Sequence, residues 1–171
     1  MFFLLDYMRK IKIKMKRFYY TYRSLRGISE YRELPNVNNK SYFNNNTALG
    51  LNCNFNGMAI SGGGKVTIGN NFHSGSECQI ITQNHNINGG SIPYDNTYII
   101  KDVEIGDNVW VGNRVIILGG VKIGEGAVIQ AGSVVVSDIP ALAIAGGHPA
   151  KVFSCRDSLH YEYHKKNKNF N

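Results

Sequence analysis

The sequence predicts an all-β solenoid, a parallel β-helix with an N-terminal helical segment and a short C-terminal tail. The main observation is a beat of six. An aliphatic or small residue returns at Ile99, Ile105, Val111, Ile117, Ile123, Ile129, Val135 and Ala141, and a second set follows four residues after each, at Val103, Val109, Val115, Val121, Ala127, Ser133 and Ile139. Period six fits neither an amphipathic helix nor the plain alternation of long strands. It describes short strands joined by sharp corners, three to a turn of about 18 residues and stacked about 4.8 Å apart around a dry aliphatic interior. A second observation is the supply of Gly, Asn and Asp next to the inward residues, as in Ile105-Gly106-Asp107-Asn108. These residues tolerate the left-handed backbone of a tight corner.

The same beat runs earlier through Ile68, Ser74 and Ile80, with Ile60, Val66, Phe72 and Cys78 in the companion slots. Ile80 and Ile99 lie nineteen residues apart, one more than a turn, and the stretch between them lacks the aliphatic rhythm. Residues 84–98 are therefore expected to leave the solenoid as a loop, the place where a rigid scaffold carries a binding or catalytic group. The expected organisation is a basic helical arm over 1–27, a β-helix over 28–155 and a polar tail over 156–171, the tail a short helix with a frayed end.

At 171 residues and 43% hydrophobic content the chain suits one domain with a real core. No run of about 18 apolar residues is present to span a bilayer. The net charge of +7 belongs to residues 1–27, where eight Lys and Arg face only Asp6; the rest carries eleven basic and eleven acidic residues. A neutral body with a basic arm is not a nucleic-acid-binding domain, and no nucleic acid is expected as partner. Residues 2–26 mix that charge with aromatic and aliphatic side chains. They can lie as an amphipathic helix on an anionic membrane, or pack on the solenoid to cover its first edge; both readings stay open. Cys53, Cys78 and Cys155 are odd in number and lack zinc-site spacing, so the expected setting is cytoplasmic, with the arm at most peripheral to the inner face of the membrane.

Four segments, KVTIGNNF (65–72), the histidine of TQNHN (82–86), VEIGDNVWVGNRVIILGGVKIGEGAVIQAGSVVVSDIP (103–140) and AGGHPAKV (145–152), together resemble the hexapeptide-repeat acyltransferases. The branch is that of maltose and galactoside O-acetyltransferases, streptogramin-type xenobiotic acetyltransferases and exopolysaccharide acetyltransferases, and the resemblance covers about residues 50–155. It implies a left-handed coil, a homotrimer, and acetyl-CoA bound as co-substrate in grooves between subunits. Acetyl transfer from a thioester needs a base for the acceptor's proton, donors for the developing oxyanion and a channel for the pantetheine arm. His85 matches the family's catalytic histidine in spacing and setting. Alternation points Trp110 outward, and the resemblance puts it near acetyl-CoA and acceptor, with plain packing between subunits as the other reading. Asn113 sits where the family offers a backbone N–H to the thioester oxygen. Ala131 matches a small residue beside the pantetheine arm, and Lys151 a basic residue suited to CoA phosphates; a small residue at a tight corner and a solvated lysine explain the two equally well. Val136-Ser137 stands where the family often reads Thr-Lys, so Ser137 is the candidate there and one phosphate contact is in doubt.

Asn54 and Asn56 fall near a family asparagine that touches the acceptor, although turn formation explains them as well. A carboxylate such as Glu77 could orient His85, without a spacing that selects it. His73 and His148 do not have the spacing of the three zinc histidines in γ-class carbonic anhydrases; they read as solvent-facing turn residues, and no metal is expected. The resemblance implies O-acetylation of a carbohydrate hydroxyl, in surface polysaccharide synthesis. A drug, a serine hydroxyl or an amino sugar as acceptor, and a non-catalytic scaffold, are the rival readings.

Overall fold

The computed structural model describes residues 2–171; Met1 and the side chains of Phe2 and Phe3, counted in the basic arm above, lie outside the described residues. Helix α1 (Phe2–Ser24) and a 3₁₀ turn (Leu25–Gly27) lead into a left-handed parallel β-helix of about six turns, followed by helix α2 (Ser158–Lys166).

The coil has three faces, which the chain visits in order. The first is built from Ile28–Tyr31, Thr47–Leu49, Val66–Ile68, Val103–Ile105 and Lys122–Ile123. The second holds Asn36–Val37, Asn54–Phe55, His73–Ser74, Trp110–Val111, Val128–Ile129 and Ala143–Gly147, closed by the antiparallel strand Ala150–Cys155. The third holds Met58–Ser61, Cys78–Ile81, Ile116–Leu118 and Val134–Val135. Strict parallel register stacks the inward residues in columns: Leu49, Ile68, Ile105, Ile123 on the first face; Val37, Phe55, Ser74, Val111, Ile129, Ala145 on the second; Ile60, Ile80, Ile117, Val135 on the third. All are buried. At one corner the left-handed positions are Asn52, Asn71 and Asn108, with φ of 50°, 54° and 58°, and their amides run rung to rung: Asn52 donates to Asn71 (3.1 Å) and Asn71 to Asn108 (2.8 Å).

Two members of the six-residue beat are corrected. Ile99 is exposed and lies outside the core, and Ala141 is exposed where Ala143 and Ala145 take the inward slots. The reason for the first is an arm. Gln83–His85 pairs antiparallel with Tyr98–Ile100, so Ile99 faces Asn84 across a two-stranded projection rather than entering a layer. His73 pairs with Trp110, 37 residues on, whereas Trp110 pairs with Val128, 18 on. The arm thus adds 19 residues, close to one turn, and a count of six carried through it stays nearly in phase. The second failure occurs where the coil ends and the closing hairpin begins.

Among the described residues, helix α1 meets the solenoid through its last two turns. Arg17 Nε donates to Asn38 Oδ1 (2.9 Å), Thr21 Oγ1 donates to the Pro35 carbonyl and accepts from the Val37 N–H (both 3.2 Å), Tyr20 packs on the core and Ser24 is buried. Residues 4–19 are exposed. No helix among the described residues is long and apolar enough to cross a membrane.

Candidate functional site

The inward Phe55, Ser74 and Val111 force their preceding neighbours outward, and register stacks Asn54, His73 and Trp110 as successive rungs on the second face. Trp110 is 53% exposed, its ring outward as alternation requires. It forms a wall shared by two grooves. One, of about 450 Å³, runs toward the corner with the third face and is lined by Asn56, His73, Gly112, Asn113, Ala131 and Phe153 among others. The other, of about 640 Å³, lies between this face and the C-terminal segment, lined by Asn54, Asn108, Arg156, His160, Tyr161 and Lys165 among others.

The first groove has a floor of backbone. A Cβ on Gly112 would stand 2.6 Å from the Ala131 nitrogen, and one on Gly75 would stand 2.5 Å from the Asn113 nitrogen, so only glycine lets these turns stack so closely. Asn113 Oδ1 accepts from the Ser76 N–H (2.8 Å) and its carbonyl from the Gly132 N–H (2.8 Å). Its own N–H has no backbone acceptor among the described residues.

His73 is not the turn residue its sequence position suggested. It is half-buried in a strand, with its Nε2 3.1 Å from the Asn56 amide nitrogen, which also donates to the Ser74 carbonyl (2.8 Å). Asn56 in turn accepts from Asn38 (3.0 Å). The signal for His73 was present: it precedes an inward serine, as Trp110 precedes an inward valine. His148 is exposed in the turn of the closing hairpin.

Trp110, Asn56, Asn113 and Ala131 are thus brought together, with Asn54 across the tryptophan in the second groove. Lys151 lies exposed in the closing strand of the same sheet, opposite Gly146. Ser137 is exposed after Val134–Val135, beyond the third face and outside both grooves. His85 also stands apart. It sits at the end of the arm's first strand, stacked on Tyr94 (centroids 3.7 Å, 17°) and tilted against Tyr98 (4.8 Å, 37°). The arm leaves the third face and rejoins the first, at the corner opposite the second face. Its tip is held by Asp95, whose carboxylate accepts from the Gly90 N–H (2.7 Å), the Thr97 N–H (2.8 Å) and the Thr97 hydroxyl; these bonds, the hydroxyl's first, hold its pKa below the usual range. Glu77, considered as a partner for His85, is instead paired with Arg114 (2.8 Å) at the corner of the second and third faces.

Helix α2 is fastened beside the second groove by a polar cluster that the sequence did not disclose. Tyr161 donates to Glu125 (2.9 Å) and accepts from Asn108 (2.8 Å), and Lys165 pairs with Glu125 (2.6 Å). Burial and the Glu125 contact push the Tyr161 hydroxyl up to about 12. Burial works against the Glu125 carboxylate, yet bonds from Lys165 and Tyr161 hold its pKa below the ordinary value. Burial also raises the Cys53 thiol to about 11. No group of three or more His, Cys, Asp or Glu side chains placed to hold a metal occurs among the described residues.

Residues 95–137 match the family described as bacterial transferase hexapeptide (six repeats). A protein of Schizosaccharomyces pombe classed by name as an acetyltransferase is 43% identical over 106 residues, covering 58% of this chain and 45% of its own. The chain spans about half the length of the curated relatives it matches. A maltose O-acetyltransferase structure from Clostridium difficile 630 superposes with a TM-score of 0.61 at 32% identity, covering 75% of this chain and 66% of the other. A hexapeptide-repeat acetyltransferase of Vibrio cholerae, solved with acetyl-CoA, gives 0.61 at 26% identity, covering 77% and 72%.

Proposed function

The chain belongs to the hexapeptide-repeat acetyltransferase family, and from that premise we propose that it transfers an acetyl group from acetyl-CoA to a carbohydrate hydroxyl, with His85 as general base. The observation that carries this reading is the arm. It holds an exposed imidazole between two tyrosines on a projection tied by its own hydrogen bonds. The first groove suits an extended pantetheine chain. It is narrow, floored by glycine backbone and the small Ala131, walled by an exposed indole, and offers the Asn113 N–H. Lys151 on the same sheet would meet the CoA phosphates, and Asn54 and Asn56 the acceptor.

His85 takes the hydroxyl proton as the acceptor oxygen attacks the thioester carbonyl. The Asn113 N–H faces the oxygen that gains charge. The imidazolium then returns its proton to the departing CoA sulfur, so the products are the acetyl ester and free CoA. An imidazole suits this task because the group ordinarily titrates near neutral pH, a role worth roughly 10² to 10⁴ in rate.

The arm that carries His85 is rooted at the corner of the third and first faces, the groove lies toward the corner of the second and third, and His85 is not among the groove's lining residues. The site therefore closes between copies, and we read the functional unit as a homotrimer, three times the 19.0 kDa chain. A cytoplasmic setting fits the supply of acetyl-CoA and the three free thiols.

The test is transfer of labelled acetyl from acetyl-CoA to sugars, nucleotide sugars, amino sugars and polysaccharide fragments. A base-labile ester on a sugar is expected, with His85→Ala lowering kcat by about 10² to 10⁴ at unchanged thermal stability. A variant that keeps most activity would remove His85 as the base. Calorimetry without CoA binding would favour a scaffold.

A further inference from the structure

Helix α1 presents two faces with different owners. Arg17, Tyr20, Thr21 and Ser24 turn toward the solenoid. At a turn of about 100° per residue the opposite side collects Leu4, Met8, Ile11, Met15, Phe18 and Tyr22 into one stripe under about 90° wide, with Lys14 about 40° beyond one edge and Lys12 about 40° beyond the other, and Lys10 and Lys16 farther out on the same two sides. All six stripe residues are 39–72% exposed. The stripe runs from residue 4 to residue 22, about 27 Å at 1.5 Å per residue.

An apolar strip of that length left in water needs an occupant, and the charge selects it. The helix carries seven Lys and Arg against Asp6, which Lys10 already engages (2.8 Å), while the solenoid and tail are close to neutral. Bundling copies of α1 along the stripe would bring these cations together with no acid left to pair them. A surface of anionic phospholipid supplies both needs: acyl boundary for the stripe, and phosphate for lysines that can extend along either border.

We propose that α1 is a membrane-docking element, lying in the interface of an anionic bilayer with its Leu4–Tyr22 stripe inserted and its Tyr20 side holding the solenoid against the surface. This stands apart from the acetyl-transfer reading and survives its failure.

The test is cosedimentation of the full chain with vesicles of phosphatidylcholine alone or with 30 mol% phosphatidylglycerol. The expected result is partition to the anionic vesicles only, weakened as salt shortens the reach of the charges. Ile11→Gln with Phe18→Gln, which leaves every lysine in place, should lower the partition coefficient about tenfold or more. Each of Lys12→Gln and Lys14→Gln should lower it about fivefold. These positions are exposed, and circular dichroism checks that the fold is kept. Absence of binding to anionic vesicles overturns the proposal. So does a double variant that binds like the parent, and so does one whose sedimentation mass falls to a smaller assembly, which would make the stripe a contact between copies.

Discussion

The arm Gln83–Ile100 and one turn of the coil are almost the same length, yet a turn points its branched side chains into a shared interior and the arm points its own outward. Ile87, Ile92 and Ile100 stand in water, Ile92 almost completely (99% exposed), whereas Phe55, Val111 and Ile117 have no exposure at all. A turn keeps its shape through neighbours above and below. The arm keeps its shape through Asp95, the Asn86–Thr97 bond and two tyrosine rings around one imidazole. The difference teaches how the molecule divides labour: the coil carries the folding energy, and the arm can present chemistry without disturbing it.

The sharpest way to break this contrast is a matched pair of truncations. Phe55 packs edge-on against Phe43 (5.0 Å) and tilted against Phe72 (5.4 Å), and Phe55→Ala should cost about 3–5 kcal/mol by denaturant unfolding. Ile92→Ala should stay within about 0.5 kcal/mol. Equal losses would make the arm part of the cooperative core.

A smaller effect tests where the coil ends and its attachments begin. Tyr161→Phe removes bonds to Glu125 and Asn108 and should cost about 1–2 kcal/mol. It should also change the pH profile. Because the Tyr161 hydroxyl is raised to about 12, the folded state holds its proton where the unfolded chain releases it; that stability is complete below about pH 10 and lost as pH rises toward 12. Glu125 has the opposite sign: its lowered pKa contributes stability above the unfolded value near 4.3, lost as pH falls through the folded one. Thermal unfolding should decline at both extremes in the parent, and Tyr161→Phe should flatten the alkaline limb. An unchanged alkaline limb would move its origin elsewhere.

The smallest expected change sharpens the picture of the interior. Ser74 occupies an inward slot between Phe55 and Val111, and its buried hydroxyl has no hydrogen-bond partner among the described residues. Ser74→Ala should raise stability by about 1 kcal/mol; a loss would mean that the hydroxyl is satisfied in solution.

The coil was readable because each of its residues obeys one local rule, inward every sixth place with a left-handed corner between, and that rule needs no knowledge of distant contacts. It misled at Ile99 because the arm's length nearly equals a turn. Trp110 is legible by the same alternation, and so is His73, which directly precedes the inward Ser74. The Tyr94–His85 stack joins residues nine apart across a hairpin whose register no periodicity announces. The Tyr161 cluster depends on where α2 lands, 36 residues beyond Glu125. Ser137 and Ala131 illustrate a further limit: six residues apart in the repeat, they fall on different corners, so family position alone could not place both in one groove.

The second face has a property its neighbours lack, because α1 caps its first strand through Thr21 and the reversed strand Ala150–Cys155 seals its last. The reversed strand ends the parallel stack: a turn added beyond it would meet a strand running the other way, and the rung-to-rung register that carries Asn54, His73 and Trp110 could not continue past it.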